Sequence, residues 1–85
     1  MCMNVDMGAQ RKFSRPVIVK IGGERTVTDV DEAATLLLHR WHHQGPKRRA
    51  AMDACMRAIR GEVGPPVARG AFVAAALEAK VLVAD

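Results

Sequence analysis

Residues 46–61 constrain the fold more than any other stretch, because they carry the chain's clearest apolar stripe together with its densest positive charge. Pro46 suits the first position of a helix, and Gly61 suits the left-handed residue that follows a last turn. Between them, apolar side chains recur at helical spacing and predict one buried face. This face comprises Ala51, Met52, Cys55, Met56, Ala58 and Ile59. We therefore predict an amphipathic central helix against which the other elements pack.

Length and composition favour one domain with one hydrophobic core. The chain has 85 residues, of which 49% are hydrophobic, and a chain of this size has no room for a second core. Its longest uncharged apolar run, residues 71–77, is far shorter than the roughly 20 residues that span a bilayer. Two cysteines, Cys2 and Cys55, are too few for a disulfide framework. We expect a cytosolic protein without a membrane segment.

The first part of the chain predicts a flexible tail over residues 1–14 and then a β-hairpin. Residues 16–21 are rich in β-branched side chains and lead into Gly22 and Gly23, a pattern typical of a strand followed by a tight turn. Residues 25–28 supply the second strand. Because side chains alternate between the faces of a strand, three should point into the core. These are Val17, Val19 and Ile21.

The first helix is predicted to begin after Asp29 and to end at Gly45. Asp29 can cap the helix, and Glu32 stands three residues later, as in a capping box. Apolar residues at helical spacing predict its buried face. They are Ala33, Ala34, Leu37, Leu38 and Trp41. We expect Trp41 to anchor the core and its indole N–H to find a hydrogen-bond partner.

The third helix is predicted to run from Pro65 to about Ala79, with a face of small residues. Gly70 lies inside it and costs about 1 kcal/mol relative to alanine. Either the backbone is closely approached there or the first turn is weak. Residues 81–83 form a short apolar run suited to a strand beside the hairpin. The predicted fold is therefore α+β, in the order ββαααβ, with residues 15–85 forming one domain.

Positive charge is concentrated around the central helix. Residues 39–60 hold six Lys or Arg against one acid, whereas the rest of the chain holds seven against eight. The candidates for contact with nucleic acid or an acidic partner are Lys47, Arg48, Arg49, Arg57 and Arg60. A solvated helix face is the plainer interpretation. Nucleic-acid binding is further disfavoured, because no aromatic residue is interleaved for base stacking and no helix-turn-helix is evident.

The histidines and cysteines do not predict a metal site or a catalytic centre. His39 and His43 lie four residues apart, with His42 between them and Cys2 as a conceivable further ligand, but a metal site needs three or four ligands fixed in space. The histidines can instead interact with the end of the first helix. Cys55 has apolar neighbours, and the carboxylates are scattered. We expect no metal, no cofactor and no enzymatic activity.

Residues spread over all the predicted elements resemble a known family. The strongest parts are Trp41 and the Ala68-Arg69-x-x-Phe72 of the third helix. The other positions are Val27, Glu32, Ala33, Leu37, Ala51, Cys55, Ala75, Ala76 and Ala79. Over about residues 16–84 the chain resembles the small bacterial proteins of domain of unknown function 982 (DUF982). The resemblance implies a single α+β domain and assigns no activity, cofactor or catalytic residue. Gly70 and the His42-His43 pair depart from its pattern.

These observations favour a non-enzymatic domain that binds another protein. Nucleic-acid binding through the basic helix around residues 47–60 is the alternative. A homodimer is also expected, because a core of roughly 70 residues gives a thin stability margin and a three-stranded sheet leaves two edges to protect. A monomer with short, twisted edges is the alternative to the dimer.

Overall fold

The computed structural model describes residues 12–41 and 45–85. These residues form a three-stranded antiparallel sheet and three helices, which confirms the α+β class and the ββαααβ order. The strands are β1 (Lys12–Lys20), β2 (Glu24–Asp29) and β3 (Leu82–Ala84), and the helices are α1 (Val30–His39), α2 (Pro46–Ile59) and α3 (Pro65–Glu78). Helix α1 packs on β2, α3 packs on β1 and β3, and α2 packs on the other two helices.

Strand β1 is the middle strand of the sheet, with β2 on one side and β3 on the other. Val17 pairs with Val27, and Val19 pairs with Arg25. Directly paired residues share a face of the sheet, and the three valines are fully buried on the face that the helices cover. The inward orientation predicted for Val17, Val19 and Ile21 is confirmed, since all three are buried.

Strand β1 begins at Lys12, earlier than the predicted start at Pro16. Phe13 is buried in the core, so the predicted boundary between tail and domain, after Ser14, falls inside a strand. The pairing with β2 is irregular in the stretch that contains Pro16, which has no N–H to donate to the ladder. This irregularity interrupts the alternation of inward and outward side chains, which is the pattern by which a strand is predicted from sequence. The rest of the predicted tail, residues 1–11, lies outside the described residues.

Helix α1 begins with the predicted cap. The Glu32 backbone N–H donates to Asp29 Oδ1 at 2.8 Å, and Glu32 Oε1 accepts the Thr28 backbone N–H at 3.1 Å. The glutamate therefore reaches one residue further back than in the standard capping box, in which it accepts from the capping residue itself. Both bonds fix the direction in which the chain leaves β2 and enters the helix.

The predicted end of α1 is wrong. The helix ends at His39, and Gly45 precedes the next helix as its cap. Leu38, predicted to be buried, is 56% exposed, whereas Leu36 is 5% exposed. Trp41 lies beyond the last turn, so its burial does not require the helix face that contains Leu38. Residues 42–44, including His42 and His43, lie outside the described residues.

Helix α2 has the predicted bounds, with Pro46 in its first turn and Gly61 just after its end at a φ of 80°. The Gly61 N–H donates to the Ala58 carbonyl at 3.1 Å, and the Glu62 N–H donates to the Arg57 carbonyl at 2.8 Å. These two bonds form a Schellman cap, which favours glycine at the left-handed position. The predicted boundaries of α2 are therefore confirmed, and Gly61 has the left-handed conformation from which the end of the helix was predicted.

The buried faces of α2 and α3 consist mainly of small side chains, which let the helices approach closely. The buried residues of α2 are Ala51, Ala54, Cys55 and Ala58, and those of α3 are Ala68, Phe72, Ala75 and Ala76. Met52, Met56 and Ile59, predicted on the same stripe, are only partly buried. The larger side chains of α2 therefore border the core, and Phe72 fills its centre.

Helix α3 ends like α2, but with a lysine at the left-handed position. Lys80 has a φ of 61°, and the Val81 N–H donates to the Ala76 carbonyl at 3.0 Å. The chain then joins β1, since the Lys20 N–H donates to the Val81 carbonyl at 2.8 Å. Gly70 has no atom of another part of the chain within 4 Å of where a Cβ would stand. Close approach of another backbone does not explain this glycine.

Candidate interaction surface

The first turn of α2 carries three of the five predicted contact residues. Lys47 and Arg49 are exposed, and Arg48 is half-buried. Arg48 Nε donates to the carbonyl oxygen of Leu37 at 3.1 Å, which ties the beginning of α2 to the end of α1. Arg48 is therefore partly a structural residue, and Lys47 and Arg49 are the cations of this turn that point into solvent.

The other two predicted contact residues, Arg57 and Arg60, lie near the far end of α2. Arg57 Nε is 3.0 Å from Asp53 Oδ2 in an i,i+4 pair, and Arg60 Nε is 2.9 Å from Glu62 Oε2. Hydrogen bonding to Glu62 raises the pKa of Arg60, and the same bond lowers the pKa of Glu62. Both pairs are exposed and contribute little to stability. They nevertheless offset the positive charge at this end of the helix.

The five basic residues consequently do not form one patch. Arg49 and Arg57 are separated by eight residues, or about 12 Å along a helix. The pairing with carboxylates leaves the last turn largely neutralised, whereas the first turn has three cations beside the single carboxylate of Glu78 among the described contacts. The candidate surface lies at the first turn.

Two exposed leucines are the sequence neighbours of residues that contact that turn. The Lys47 N–H donates to Glu78 Oε1 at 3.2 Å, which brings the end of α3 next to the beginning of α2. Leu77 precedes Glu78 and is 60% exposed, and Leu38, at the end of α1, is 56% exposed. We call this surface the basic end. It comprises Leu38, Lys47, Arg48, Arg49 and Leu77.

Arg69 is a structural residue whose contacts the sequence pattern did not predict. Its Nε donates to the carbonyl oxygen of Arg15 at 3.0 Å, and another of its nitrogens donates to the carbonyl oxygen of Asp85. One side chain of α3 thus holds β1 and the residue after β3. The only sequence signal for a role of Arg69 was its place in the Ala-Arg-x-x-Phe pattern. From helical periodicity alone, its side chain would have been predicted to face solvent.

Trp41 is packed against Phe72, with ring centroids 5.5 Å apart and the planes tilted by 53°. Its side chain is buried, as predicted for a core anchor. Its indole Nε1 is buried and has no hydrogen-bond partner among residues 12–41 and 45–85, so the predicted partner of the N–H is not among them. A buried donor without an acceptor is uncommon in native proteins.

Cys55 is fully buried, as predicted. Burial, with a smaller contribution from the charge of Asp31, raises the pKa of its thiol to about 11. The thiol is therefore neutral at physiological pH, whereas a nucleophilic cysteine acts as the thiolate.

Within residues 12–41 and 45–85, no group of three or more His, Cys, Asp or Glu side chains could hold a metal ion. The candidate ligands Cys2, His42 and His43 lie outside these ranges. Among the same residues, no helix has the length and apolarity that crossing a bilayer requires.

A hairpin, three helices and a C-terminal strand that joins the hairpin define a small α+β domain. Residues 15–83 match the model of the family described as "Protein of unknown function (DUF982)". The chain belongs to this family, as the resemblance indicated.

A solved structure supports the same assignment. The NMR structure of the Agrobacterium tumefaciens protein Atu1219 is similar to this chain, with 33% sequence identity and a TM-score of 0.74. The similarity covers 89% of this chain and 79% of the other. No curated protein matches the sequence. The comparisons therefore identify the family and the fold, and they name no activity.

Proposed function

We propose that this protein is a non-enzymatic interaction domain that binds an acidic segment of another protein at the basic end. The observation that carries the proposal is that two exposed leucines, Leu38 and Leu77, adjoin in sequence the residues whose carbonyl and carboxylate oxygens contact a helical turn with three cations. Exposed apolar side chains next to charged ones are typical of interfaces. A partner segment with Asp or Glu side chains around an apolar residue complements this arrangement of leucines and cations.

Two observations support a binding role over catalysis. The buried Cys55 thiol is neutral at physiological pH, and the pairs involving Asp53 and Glu62 join a carboxylate to an arginine instead of to a second carboxylate. General acid–base catalysis needs a group whose pKa lies near the working pH, and such groups result from burial or from like charges. Neither the neutral thiol nor the carboxylate–arginine pairs favour general acid–base catalysis.

The nucleic-acid alternative depends on all five basic residues acting together. A phosphate backbone is bound by several cations along an extended surface, and each phosphate contact releases counterions. Arg57 and Arg60 are already paired with carboxylates, and Arg48 is bonded to a carbonyl group. We therefore favour an acidic protein segment, for which a compact basic turn is sufficient.

Selection of peptides from a random display library tests this proposal. We expect selected peptides to combine Asp or Glu with an apolar residue, and to lose binding to the double variant Leu38→Lys/Leu77→Lys. Val67→Lys is the matched control, because Val67 lies on α3, is 53% exposed and stands near the opposite end of that helix from Leu77. Peptides that bind both variants equally well would contradict the assigned surface.

A second measurement separates the protein partner from nucleic acid. Affinity capture from a cell lysate is carried out with the wild type, the double variant and Val67→Lys, each with and without nuclease. We expect proteins that are captured by the wild type and Val67→Lys regardless of nuclease. Capture that nuclease abolishes, and that weakens steeply with added salt, would instead support nucleic-acid binding.

A further inference from the structure

Glu78 is the last residue of α3, a position at which its charge does not favour its own helix. The C-terminus of a helix carries about half a negative charge, so a carboxylate there is disfavoured and a cation is favoured. The last turn of α3 contains no basic residue of its own. The stabilising role of this carboxylate is therefore found outside α3, in its contact with α2.

Helix α2 begins without a carboxylate of its own. Its capping residue, Gly45, has no side chain that accepts a hydrogen bond, and its first turn contains no acid. Pro46 has no N–H, and the Arg48 N–H donates to the Gly45 carbonyl at 3.2 Å. The Lys47 N–H is therefore the first N–H of the helix that needs an acceptor from elsewhere, and Glu78 Oε1 accepts it at 3.2 Å. A residue of α3 thus caps α2.

The Glu78 carboxylate lies at the basic end, the surface to which the proposed function assigns an acidic partner. It is bonded to the first turn of α2, in which Lys47, Arg48 and Arg49 follow one another. A residue has one backbone N–H to donate, and carboxylates that share a site repel each other. A partner carboxylate and Glu78 therefore cannot both occupy this turn.

The contact between Glu78 and Lys47 can open without separating the two helices. It lies at the surface, and Glu78 is only partly buried. Helices α2 and α3 pack on each other, and each contributes four buried residues to the core. An exposed hydrogen bond adds little to that packing, because water competes for both of its groups. The carboxylate can therefore leave while both helices stay in place.

We infer that Glu78 is an intramolecular competitor of the acidic partner, which must displace the Glu78 carboxylate from the first turn of α2. This inference rests on the proposed function, because the competition concerns the same surface. In the free protein the carboxylate caps α2 and offsets part of the positive charge of the basic end. In the complex, acidic side chains of the partner take its place. The apparent affinity is reduced by the fraction of molecules in which Glu78 occupies the turn, so a segment needs enough acidic groups to displace it.

The acetylated and amidated peptide Glu-Glu-Leu-Glu-Glu is the probe, and its affinity is measured by NMR titration of the backbone amides at constant ionic strength. Glu78→Ala removes the competing carboxylate and should strengthen binding about fivefold. Glu62→Ala is the matched control, because it removes an exposed carboxylate that faces Arg60 beyond the opposite end of α2. Charges separated by more than about 8 Å are largely screened at physiological ionic strength. The control should therefore leave the affinity nearly unchanged.

A second variant covers the case in which Glu78→Ala frays the start of α2. Glu78→Gln keeps the shape of the side chain and an oxygen that accepts the Lys47 N–H, and it should also bind the peptide more tightly than the wild type. Unchanged or weaker binding in both Glu78 variants, or an equal gain in Glu62→Ala, would overturn the competition and leave the proposed function standing. A peptide that moves no resonance of the wild type or of the Glu78 variants would overturn both.

Discussion

Burial determines what two chemically distinctive side chains can do at the scale of single residues. The Cys55 thiol is surrounded by core residues, which makes it neutral and inaccessible. The Trp41 indole is also buried and packs on Phe72, and its N–H has no partner among the described residues. Both residues belong to the family resemblance, and both contribute to packing.

Cys55 should react slowly with thiol reagents in the folded protein. The variant Cys2→Ser leaves it as the sole thiol, and reaction with a chromogenic disulfide at pH 8 measures its rate. We expect a slow reaction in buffer and a fast one in urea. Because folding raises the thiol pKa from 9.0 to about 11, this group's contribution to stability is complete below pH 9 and decreases as the pH rises toward 11. Equal labelling rates in buffer and urea would show that Cys55 is not buried.

Lys80→Gly should stabilise the protein by about 1 kcal/mol, because a left-handed conformation costs roughly 1–2 kcal/mol for any residue with a Cβ. Lys80 has a φ of 61° at the end of α3. Urea unfolding of the variant measures the change in the free energy of unfolding. Ala79→Gly, one residue earlier at a φ of −80°, is the control and should be destabilising. A loss of stability in Lys80→Gly would mean that its side chain makes contacts that outweigh the backbone strain.

At the scale of elements, local chemistry determines where the helices start and stop. Asp29 caps α1, Pro46 occupies the first turn of α2, and Gly61 ends that helix in a left-handed conformation. Each of these features involves residues within a few positions of one another. The helix ends that were predicted correctly are therefore those with a strong local signal.

Gly70→Ala should stabilise the protein by about 1 kcal/mol, the usual difference between alanine and glycine inside a helix. The added methyl group meets no atom of another part of the chain within 4 Å. Gly61→Ala is the contrasting variant, because the φ of 80° at that position disfavours any side chain. Denaturant midpoints of the two variants should shift in opposite directions. A destabilised Gly70→Ala would require an explanation other than helix propensity.

At the scale of the whole molecule, contacts between distant segments set the arrangement of the elements. Arg69 joins α3 to the carbonyl groups of Arg15 and Asp85, and Lys47 joins α2 to Glu78. The same contacts decide which surfaces remain open. They place the basic end beside the ends of the helices, and they leave β2 and β3 as the two outer strands.

We expect the protein to form a dimer through the outer edge of β3. This edge has no charged side chain, and Val83 is 49% exposed, whereas β2 carries Glu24 and Arg25, which blunt an edge. Val83→Lys should dissociate the dimer without unfolding it, and Val67→Lys should not. A lysine substitution at Val19 cannot serve as such a test, because Val19 lies on the middle strand and is fully buried. Sedimentation equilibrium giving a single mass near 9.2 kDa at all micromolar concentrations would establish a monomer.

Removal of divalent metals should leave the melting temperature unchanged. The sequence offers His39, His42, His43 and Cys2 as conceivable ligands, but a metal site needs three or four ligands that the fold holds fixed in space. Thermal unfolding is compared before and after dialysis against a chelator, with added zinc as the control. A large decrease after dialysis that zinc restores would indicate a structural metal, because such a metal supplies folding free energy directly.

The sequence by itself determined the order of the elements, most of the helix ends and the inward face of the first strand. The cap at Asp29, the turn at Gly61 and the alternation of Val17 and Val19 depend only on neighbouring residues. Their preferences arise from backbone geometry and side-chain periodicity, which a short stretch of chain already contains. The family resemblance was confirmed as well. The predicted burial of Cys55 was confirmed because it followed from apolar residues at helical spacing within one short stretch.

Only the tertiary structure decided where β1 begins, which leucines of α1 are buried and which cations are already engaged. Arg48 donates to a carbonyl group 11 residues away, the Lys47 backbone N–H donates to a carboxylate 31 residues away, and Arg69 donates to a carbonyl group at a separation of 54. Periodicity contains no information about such partners, because the distance between remote segments depends on how the elements pack. The basic end exists only once α1, α2 and α3 have come together.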